Sequence, residues 1–115
     1  MKINLQWAVV EANLNPTIGS EQKGVRPVLV VSNEEYNAAM PNVTVLPLTT
    51  TKRNMYPSEI LLPEKKAGQP KTSIIMAHQI RTISQQRIGR IFGHLDDILI
   101  RLEVSAAIKE HLDLD

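Results

Sequence analysis

A charged residue at the mouth of a predicted strand, Arg26, is the feature of this sequence best suited to chemistry. It follows a polar loop bounded by glycines, Gly19–Gly24, and precedes Pro27, which opens an apolar run ending at Val31. Because proline cannot donate to a sheet ladder, Pro27 is expected at a strand's first residue or on a sheet edge, and it biases Arg26 toward an extended backbone. The sequence therefore predicts a fixed guanidinium beside a hydrogen-bonding loop, an arrangement suited to an anion such as phosphate.

A second polar loop, with basic residues, follows the third predicted strand. Thr49, Thr50 and Thr51 stand directly before Lys52 and Arg53. A threonine hydroxyl at this place can donate to a phosphate oxygen. The pattern alone leaves two other readings open, because β-branched residues commonly close a strand and paired basic residues commonly form a solvated loop tip.

The net charge of +1 conceals an asymmetry along the 115 residues. Residues 1–93 contain 11 Lys/Arg and six Asp/Glu, whereas residues 94–115 contain two Lys/Arg and six Asp/Glu. This distribution indicates that the body of the protein, rather than its acidic C-terminal segment, would meet a polyanion. A balance of +5 over 93 residues is also ordinary for a protein surface, so charge by itself does not decide the matter.

Several kinds of site are excluded or disfavoured by the sequence. It contains no cysteine, which excludes disulfides and thiolate metal sites and suits a reducing cytoplasm. The three histidines, His78, His94 and His111, do not have metal-ligand spacing, so no metal site is predicted. No apolar run approaches the roughly 18 residues of a membrane helix, so no membrane partner is expected.

The apolar pattern predicts a mainly β chain that ends in one helix. Short β-rich segments bounded by Gly/Pro turns indicate seven strands: Trp7–Leu14, Pro27–Val31, Val43–Leu48, Ser58–Leu62, Ser73–Ala77, Gln79–Ile83 and Arg87–Phe92. A helical turn over Asn33–Asn37 is expected with Ser32 as its cap. Pro47 implies that the third strand lies at an edge or carries a bulge.

After Gly93 the apolar residues change to helical spacing. They are Leu95, Ile98, Leu99, Leu102 and Ala106, and an aliphatic stripe of this kind is expected to face the core. The whole pattern predicts a single domain over residues 1–115, built as a small β barrel or curled sheet with a C-terminal helix packed on it.

The sequence resembles the MazF/PemK toxins of bacterial toxin–antitoxin systems. The residues that carry this resemblance run in the family's order along nearly the whole chain: Asn13–Gln22, Arg26–Ser32, Pro47–Thr50 and His78–Ile83. The resemblance implies an SH3-like β barrel, a homodimer and metal-independent cleavage of single-stranded RNA. RNA carries its own nucleophile, so no cofactor is expected, and the expected location is the cytoplasm. The resemblance also implies inhibition by a cognate antitoxin that covers the RNA site.

The resemblance assigns roles to individual residues. It implies that Arg26 and Thr49 are the catalytic residues of an endoribonuclease, an mRNA interferase whose products are a 2′,3′-cyclic phosphate and a 5′-hydroxyl end. The RNA-binding residues that we expect are Ser20, Glu21, Gln22, Thr50, Thr51, Lys52, Arg53, Gln79 and Arg81. Glu21 is open to two readings, as a proton acceptor or as the ion-pair partner that orients Arg26, and no general base is assigned.

One departure from the family pattern stands at the first strand. The family usually opens this strand with a Gly-Asp pair, and here Trp7-Ala8 stands in its place. Two alternatives to RNA cleavage accompany the main interpretation. One is a gyrase-poisoning toxin of the same fold, which acts through its C-terminal residues; the other is a cleavage-dead module that binds RNA or antitoxin.

Overall fold

The computed structural model describes residues 4–115, so residues 1–3 of the predicted domain lie outside the described part. Seven strands and two α-helices form in this part of the chain: β1 Ala8–Asn13, β2 Val25–Val30, α1 Glu34–Ala39, β3 Asn42–Thr49, β4 Glu59–Leu62, β5 Ser73–Met76, β6 Arg81–Ser84, β7 Ile88–His94 and α2 Ile98–His111. Short 3-10 turns over Ala77–Gln79 and Gln85–Arg87 flank β6. The predicted mainly β fold with a C-terminal helix is confirmed.

Among the described residues 4–115, all the strand pairings are antiparallel and make a single seven-stranded sheet. The strands follow the order β4-β5-β3-β2-β1-β7, and β6 pairs with the first half of β3. Strand β3 therefore belongs to two groups: its first half joins β6, β2, β1 and β7, and its last residues join β5 and β4. The loops that carry the candidate site leave from the second half of β3 and from the start of β2.

Two apolar clusters lie on opposite faces of the sheet because side chains alternate along each strand. The first joins Ile83 of β6 and Ile88 of β7, at the two ends of the five-strand group, through the valines and alanines of the strands between them. The sheet therefore curls around this cluster, as a small barrel does. The second cluster joins β4 and β5 to the buried face of α2.

Pro47 lies inside a central strand rather than at an edge or bulge. It is paired with Val28 on one side of β3. On the other side, β3 pairs with β6 up to Val45 and with β5 from Leu48 onward. Pro47 falls between these two ladders, where its missing N–H costs no strand hydrogen bond.

The helix α2 forms where the sequence predicts a helix, but the prediction of which face is buried is wrong. Ile98, Leu99 and Leu102 are 60–72% exposed, whereas Ile100, Val104 and Ala107 are the buried residues. The helix carries apolar residues on both sides, and the sequence does not say which side meets the sheet. Leu95 is fully buried as expected, but it precedes the helix, which Asp97 caps through hydrogen bonds to the N–H groups of Leu99 and Ile100. None of the helices in residues 4–115 is long and apolar enough to span a membrane.

The cap of α1 also differs from the prediction. Asn33, and not Ser32, caps the helix, accepting a hydrogen bond from the Tyr36 N–H at 2.8 Å. The Ser32 hydroxyl lies 2.5 Å from the Asn37 amide oxygen and accepts from the Thr44 N–H instead. Serine and asparagine are both favourable N-cap residues. Here the Ser32 side chain instead connects α1 to β3 through its contacts with Asn37 and Thr44.

The Trp7-Ala8 departure has a structural consequence at the entrance to β1. Trp7 has a φ of 67°, in the left-handed region that favours glycine. Its backbone is held on both sides, donating to the Val30 carbonyl and accepting from the Leu95 N–H, each at 2.8 Å. Its ring packs on the second cluster and lies 5.2 Å from the Arg101 guanidinium. Tryptophan therefore keeps a glycine-like backbone here and adds a large packing surface.

Candidate functional site

The guanidinium of Arg26 is fixed by two backbone carbonyls. Its Nε donates to the Lys23 carbonyl at 3.0 Å, and its Nη1 donates to the Leu48 carbonyl at 3.3 Å. These bonds use two of the five N–H groups of the side chain, which leaves three for a ligand. Within residues 4–115 Arg26 forms no ion pair, so the expected alternative of an Arg26–Glu21 pair is not observed. Arg26 therefore presents an uncompensated positive charge in one orientation.

Thr49 lies beside Arg26 at the end of β3. The two side chains line one cavity of about 220 Å³, together with Thr50, Thr51 and Ser73 among others. The β2–β3 register pairs Val28 with Pro47, and extending it by two residues places Arg26 opposite Thr49. The Thr49 hydroxyl donates to the Thr51 hydroxyl at 3.1 Å and accepts from the Thr51 N–H at 3.3 Å. The cavity thus holds a fixed cation and a hydroxyl on neighbouring strands, which is the chemistry of an oxyanion site.

A larger cavity of about 440 Å³ adjoins the first one. Thr49, Thr50, Thr51 and Ser73 line both cavities. The larger cavity extends under the β3–β4 loop, and its other lining residues are Lys52, Arg53, Asn54, Met55, Leu61, Thr72 and Ile74. The two adjoining cavities, whose lining extends from Arg26 to Leu61 of β4, are together called the groove below.

A buried carboxylate, Glu59, organises the loop above the larger cavity. Its side chain is fully buried and accepts from both terminal nitrogens of Arg53, at 2.7 and 2.8 Å. It also accepts from the Tyr56 N–H at 2.7 Å and lies 2.8 Å from Nε2 of His78. The Arg53 guanidinium lies 4.2 Å from the centre of the Tyr56 ring. This group, Arg53, Tyr56, Glu59 and His78, is called the Glu59 cluster below.

The hydrogen bonds of the cluster hold Glu59 in its charged form. The bidentate bond from Arg53 is the main cause, and the bonds from His78 and the Tyr56 N–H act in the same direction. Burial opposes them, but the pKa of Glu59 still falls from 4.5 to about 2. The charge of Arg53 is consequently matched by a carboxylate in the same loop. Lys52, one residue earlier, is exposed and forms no ion pair within the described part of the chain.

The predicted site residues fall into three groups in the structure. Arg26, Thr49 and the loop from Thr50 to Arg53 come together around the groove. Ser20, Glu21 and Gln22 lie on the β1–β2 loop and do not line either cavity. Neither do Gln79, in the 3-10 turn, and Arg81, in β6 opposite Val45.

Hydrogen bonds nevertheless fix the two ends of the β1–β2 loop. The Gly24 N–H donates to the Asn15 side chain at 3.1 Å, and the Leu14 N–H donates to the Gly24 carbonyl at 2.9 Å. Arg87 donates from Nη1 to the backbone carbonyls of Asn13 and Asn15. These contacts fix the start and end of the loop and leave its tip, with Ser20 and Glu21, exposed.

Sequence reasoning missed several residues of the groove and its surroundings. The sequence predicts Glu59 and Leu61 only as parts of a short strand, Thr72 as part of a turn and Ser73 as the start of a strand. One signal was available, because alternation along Glu59-Ile60-Leu61-Leu62 separates Glu59 and Leu61 from the two core residues. No group of three or more His, Cys, Asp or Glu side chains in residues 4–115 is arranged to hold a metal ion.

Comparisons with known proteins identify the family to which the chain is similar. Residues 5–112 match the family model described as PemK-like, MazF-like toxin of type II toxin–antitoxin system. The chain is 37% identical over 103 residues to Endoribonuclease EndoA of Bacillus subtilis, covering 84% of this chain and 89% of the relative. It is 33% identical over 109 residues to Endoribonuclease MazF9 of Mycobacterium tuberculosis, covering 90% and 92%.

The fold is similar to that of a solved toxin as well. The Mycobacterium tuberculosis toxin MazF-mt6 superposes with a TM-score of 0.77 at 28% identity, covering 94% of this chain and 98% of the other. The sequence matches, the curled sheet and the groove that begins at Arg26 lead to the same conclusion. The chain belongs to the PemK-like and MazF-like toxins of type II toxin–antitoxin systems.

Proposed function

We propose that this toxin is an endoribonuclease that cleaves single-stranded RNA, mRNA in particular, without a metal ion, and that Arg26 and Thr49 are its catalytic residues. The observation that carries the proposal is the Arg26–Thr49 cavity, in which a guanidinium held by two carbonyls keeps three N–H groups for a phosphate beside a hydroxyl. The names of both curated relatives favour RNA cleavage over the gyrase-poisoning and cleavage-dead alternatives.

The reaction needs little from the protein because RNA carries its own nucleophile. The 2′-oxygen attacks the adjacent phosphorus and loses its proton, the bond from phosphorus to the 5′-oxygen breaks, and that oxygen gains a proton. The products are a 2′,3′-cyclic phosphate and a 5′-hydroxyl. Negative charge builds on the phosphate oxygens during attack, and a preorganised donor set stabilises it.

Arg26 and Thr49 divide this work. The guanidinium of Arg26 is a planar cation with N–H donors in a fixed fork, so its main role is to bind two phosphate oxygens as their charge increases. The Thr49 hydroxyl leaves its weak bond to Thr51, turns to a phosphate oxygen and holds the scissile group in line. Donation of a proton by Arg26 to the leaving oxygen is a secondary role in this scheme.

The remaining predicted residues bind the RNA on either side of the scissile phosphate. Thr50, Thr51 and Arg53 line the groove, and Lys52 supplies an uncompensated charge for the backbone. Ser20, Glu21 and Gln22 approach from the β1–β2 loop, and Gln79 and Arg81 from the turn and strand after β5. Single-stranded RNA suits such a site because its bases can be splayed out and bound at their edges.

The family description supports further partners. A toxin of a type II toxin–antitoxin system is paired with a cognate antitoxin, and we propose that this antitoxin inhibits the toxin by covering the groove. We also propose that the toxin acts in the cytoplasm as a homodimer. Light scattering of the purified toxin measures its mass in solution, and a monomer at micromolar concentration would contradict the dimer.

The experiment that tests the function uses a long single-stranded RNA. Purified toxin is incubated with the RNA in excess EDTA, and the cut positions and the chemistry of both new ends are mapped. We expect cuts at a restricted set of sequences, with cyclic phosphate and 5′-hydroxyl ends. Absence of cleavage, or cleavage only after a divalent metal is added, would contradict the proposal.

A further inference from the structure

We propose that Asn15 is a positioning residue for Arg26: its side chain fixes the peptide unit between Lys23 and Gly24, and that peptide unit orients the guanidinium. This inference rests on the function proposed above and adds to it a residue outside the predicted catalytic and RNA-binding sets. Asn15 does not line either cavity, so its effect on the reaction passes through Arg26.

The peptide unit between Lys23 and Gly24 makes two hydrogen bonds, one from each side. Its N–H, which belongs to Gly24, donates to Oδ1 of Asn15 at 3.1 Å. Its carbonyl, which belongs to Lys23, accepts from Nε of Arg26 at 3.0 Å. Because a peptide unit is planar, its N–H and its carbonyl turn together. The bond to Asn15 therefore also sets the direction of the carbonyl that holds Arg26.

Strand pairing alone does not hold this peptide unit. The pairing of β1 with β2 ends at the Gly24 carbonyl, which accepts from the Leu14 N–H at 2.9 Å. The peptide unit between Lys23 and Gly24 is the next one toward the loop. Gly24 has a φ of 81°, a conformation that glycine adopts without penalty and that turns the chain away from the strand. Asn15 thus supplies the acceptor that a neighbouring strand supplies within the sheet.

The backbone of Asn15 is held by contacts of its own. Its N–H donates to Oδ1 of Asn13 at 3.0 Å. Nη1 of Arg87 donates to the carbonyls of both Asn13 and Asn15. The β1–β7 register pairs Ala12 with Ile88, and its extension by one residue places Arg87 beside Asn13. The Asn15 side chain therefore extends into the β1–β2 loop from a backbone that is fixed to the sheet.

Loss of this orientation would leave Arg26 with one weaker anchor. The other bond, from Nη1 to the Leu48 carbonyl, is 3.3 Å long, which is long for an N–H···O bond. A guanidinium with a single anchor can rotate about it, so its remaining N–H groups no longer keep one direction. Stabilisation of the charge on a phosphate depends on donors that are already aimed at it.

Asn15 should matter more for the rate of cleavage than for stability. Its side chain is exposed, so water can replace it as the acceptor for the Gly24 N–H. Its removal should therefore cost little free energy of unfolding. By contrast, a misplacement of about 1 Å can lower the rate of a catalysed step by about 100-fold. This difference separates a positioning role from a structural one.

The test compares variants of Asn15 in single-turnover cleavage of one RNA. Asn15→Ala removes the acceptor oxygen, whereas Asn15→Asp keeps one at the same place. Asp97→Ala is the matched control, because the Asp97 side chain also accepts from backbone N–H groups, at the start of α2. Arg26→Ala and the double variant Asn15→Ala/Arg26→Ala complete a cycle that shows whether Asn15 acts through Arg26. Thermal denaturation measures folding, and fluorescence anisotropy with an uncleavable RNA, 2′-deoxy at the scissile nucleotide, measures affinity.

The expected result is a loss of rate that depends on Arg26. Asn15→Ala should cleave about 10- to 100-fold more slowly than the wild type, with little change in affinity or melting temperature. Asn15→Asp and Asp97→Ala should cleave at close to the wild-type rate. In the Arg26→Ala background, Asn15→Ala should cause no further loss. A wild-type rate for Asn15→Ala, an equal loss in Asn15→Asp or Asp97→Ala, or an equal loss in both backgrounds would overturn the inference.

Failure of this inference is distinguishable from failure of the proposed function. If the wild type and Asn15→Ala cleave RNA equally fast, the positioning role is wrong and the nuclease assignment stands. If the wild type cleaves no RNA, the function is wrong, and the inference is then decided by nuclear magnetic resonance of the Arg26 Nε–H group. Its exchange with solvent should be faster in Asn15→Ala than in the wild type, and equal exchange would overturn the inference.

Discussion

The carboxylate of Glu59 binds both terminal nitrogens of Arg53 across the β3–β4 loop, at 2.7 and 2.8 Å. Six residues separate the partners, and the carboxylate is fully buried beneath the loop. This pair changes the interpretation of a loop that the sequence presents as basic. Within residues 4–115 Lys52 forms no ion pair, whereas the charge of Arg53 is matched by the Glu59 carboxylate. We therefore expect the Arg53–Glu59 pair to affect the free energy of unfolding and its pH dependence, and Lys52 to affect RNA binding.

Removal of the buried charge should destabilise the toxin. Glu59→Gln leaves Arg53 and His78 without their carboxylate partner, and we expect the free energy of unfolding to fall by about 1–3 kcal/mol. Urea denaturation at pH 7 measures the change. Glu110→Gln, an exposed position on α2, is the matched control. Equal stability of Glu59→Gln and the wild type would show that the cluster contributes nothing net.

The same pair predicts a stability difference that depends on pH. The pKa of Glu59 is lowered in the folded state to about 2 from 4.5, so its contribution is complete above pH 4.5 and is lost as the pH falls toward 2. The stability gap between the wild type and Glu59→Gln should therefore be constant from pH 7 to pH 5 and shrink below that. Denaturation curves at several pH values measure it. A gap that widens in acid would contradict the assigned charge state.

Lys52 should account for part of the salt dependence of RNA binding. Lys52→Ala removes one phosphate contact, so the slope of log affinity against log salt should become shallower by about 0.7 for a single strand. Fluorescence anisotropy at four salt concentrations gives this slope. Lys109→Ala on α2 serves as the control and should keep the wild-type slope. An unchanged slope in Lys52→Ala would remove Lys52 from the path of the RNA.

Trp7 is predicted to stabilise the fold despite its backbone conformation. The left-handed φ costs about 1 kcal/mol, and burial of part of the ring contributes about 2 kcal/mol or more. Trp7→Gly relieves the first and loses the second, whereas Trp7→Ala loses the ring and keeps the strain. Thermal denaturation should rank the proteins as wild type, Trp7→Gly and Trp7→Ala, in falling order. A Trp7→Gly variant at least as stable as the wild type would contradict this account.

The parts of the fold that sequence predicts are those with strong local signals. Arg26-Pro27 followed by an apolar run indicates β2 within two residues of its start, and the change of period after Gly93 indicates α2. The buried side of α2 could not be predicted, because both the Ile98 and the Ile100 sides are apolar. Only the packing of the helix against β4 and its neighbours decides between them.

The candidate site, like the fold, is only partly predictable from the sequence. Arg26 and Thr49 were predicted, and the structure places them in one cavity. The Leu61 end of the groove was not predicted, because it depends on the register of three strands that are distant in sequence. The Arg53–Glu59 pair was missed because residues six apart in a loop have no fixed spacing, unlike those of a helix or a strand.

The central claim is that the fixed guanidinium of Arg26 stabilises the charge on the scissile phosphate. It is tested most directly by single-turnover cleavage of one RNA by the wild type, Arg26→Ala and the control Arg90→Ala, an exposed arginine on β7. The account predicts that Arg26→Ala is folded, keeps the oligomeric state of the wild type and loses at least about 100-fold in rate, while Arg90→Ala cleaves normally. Cleavage by folded Arg26→Ala at the wild-type rate would contradict it.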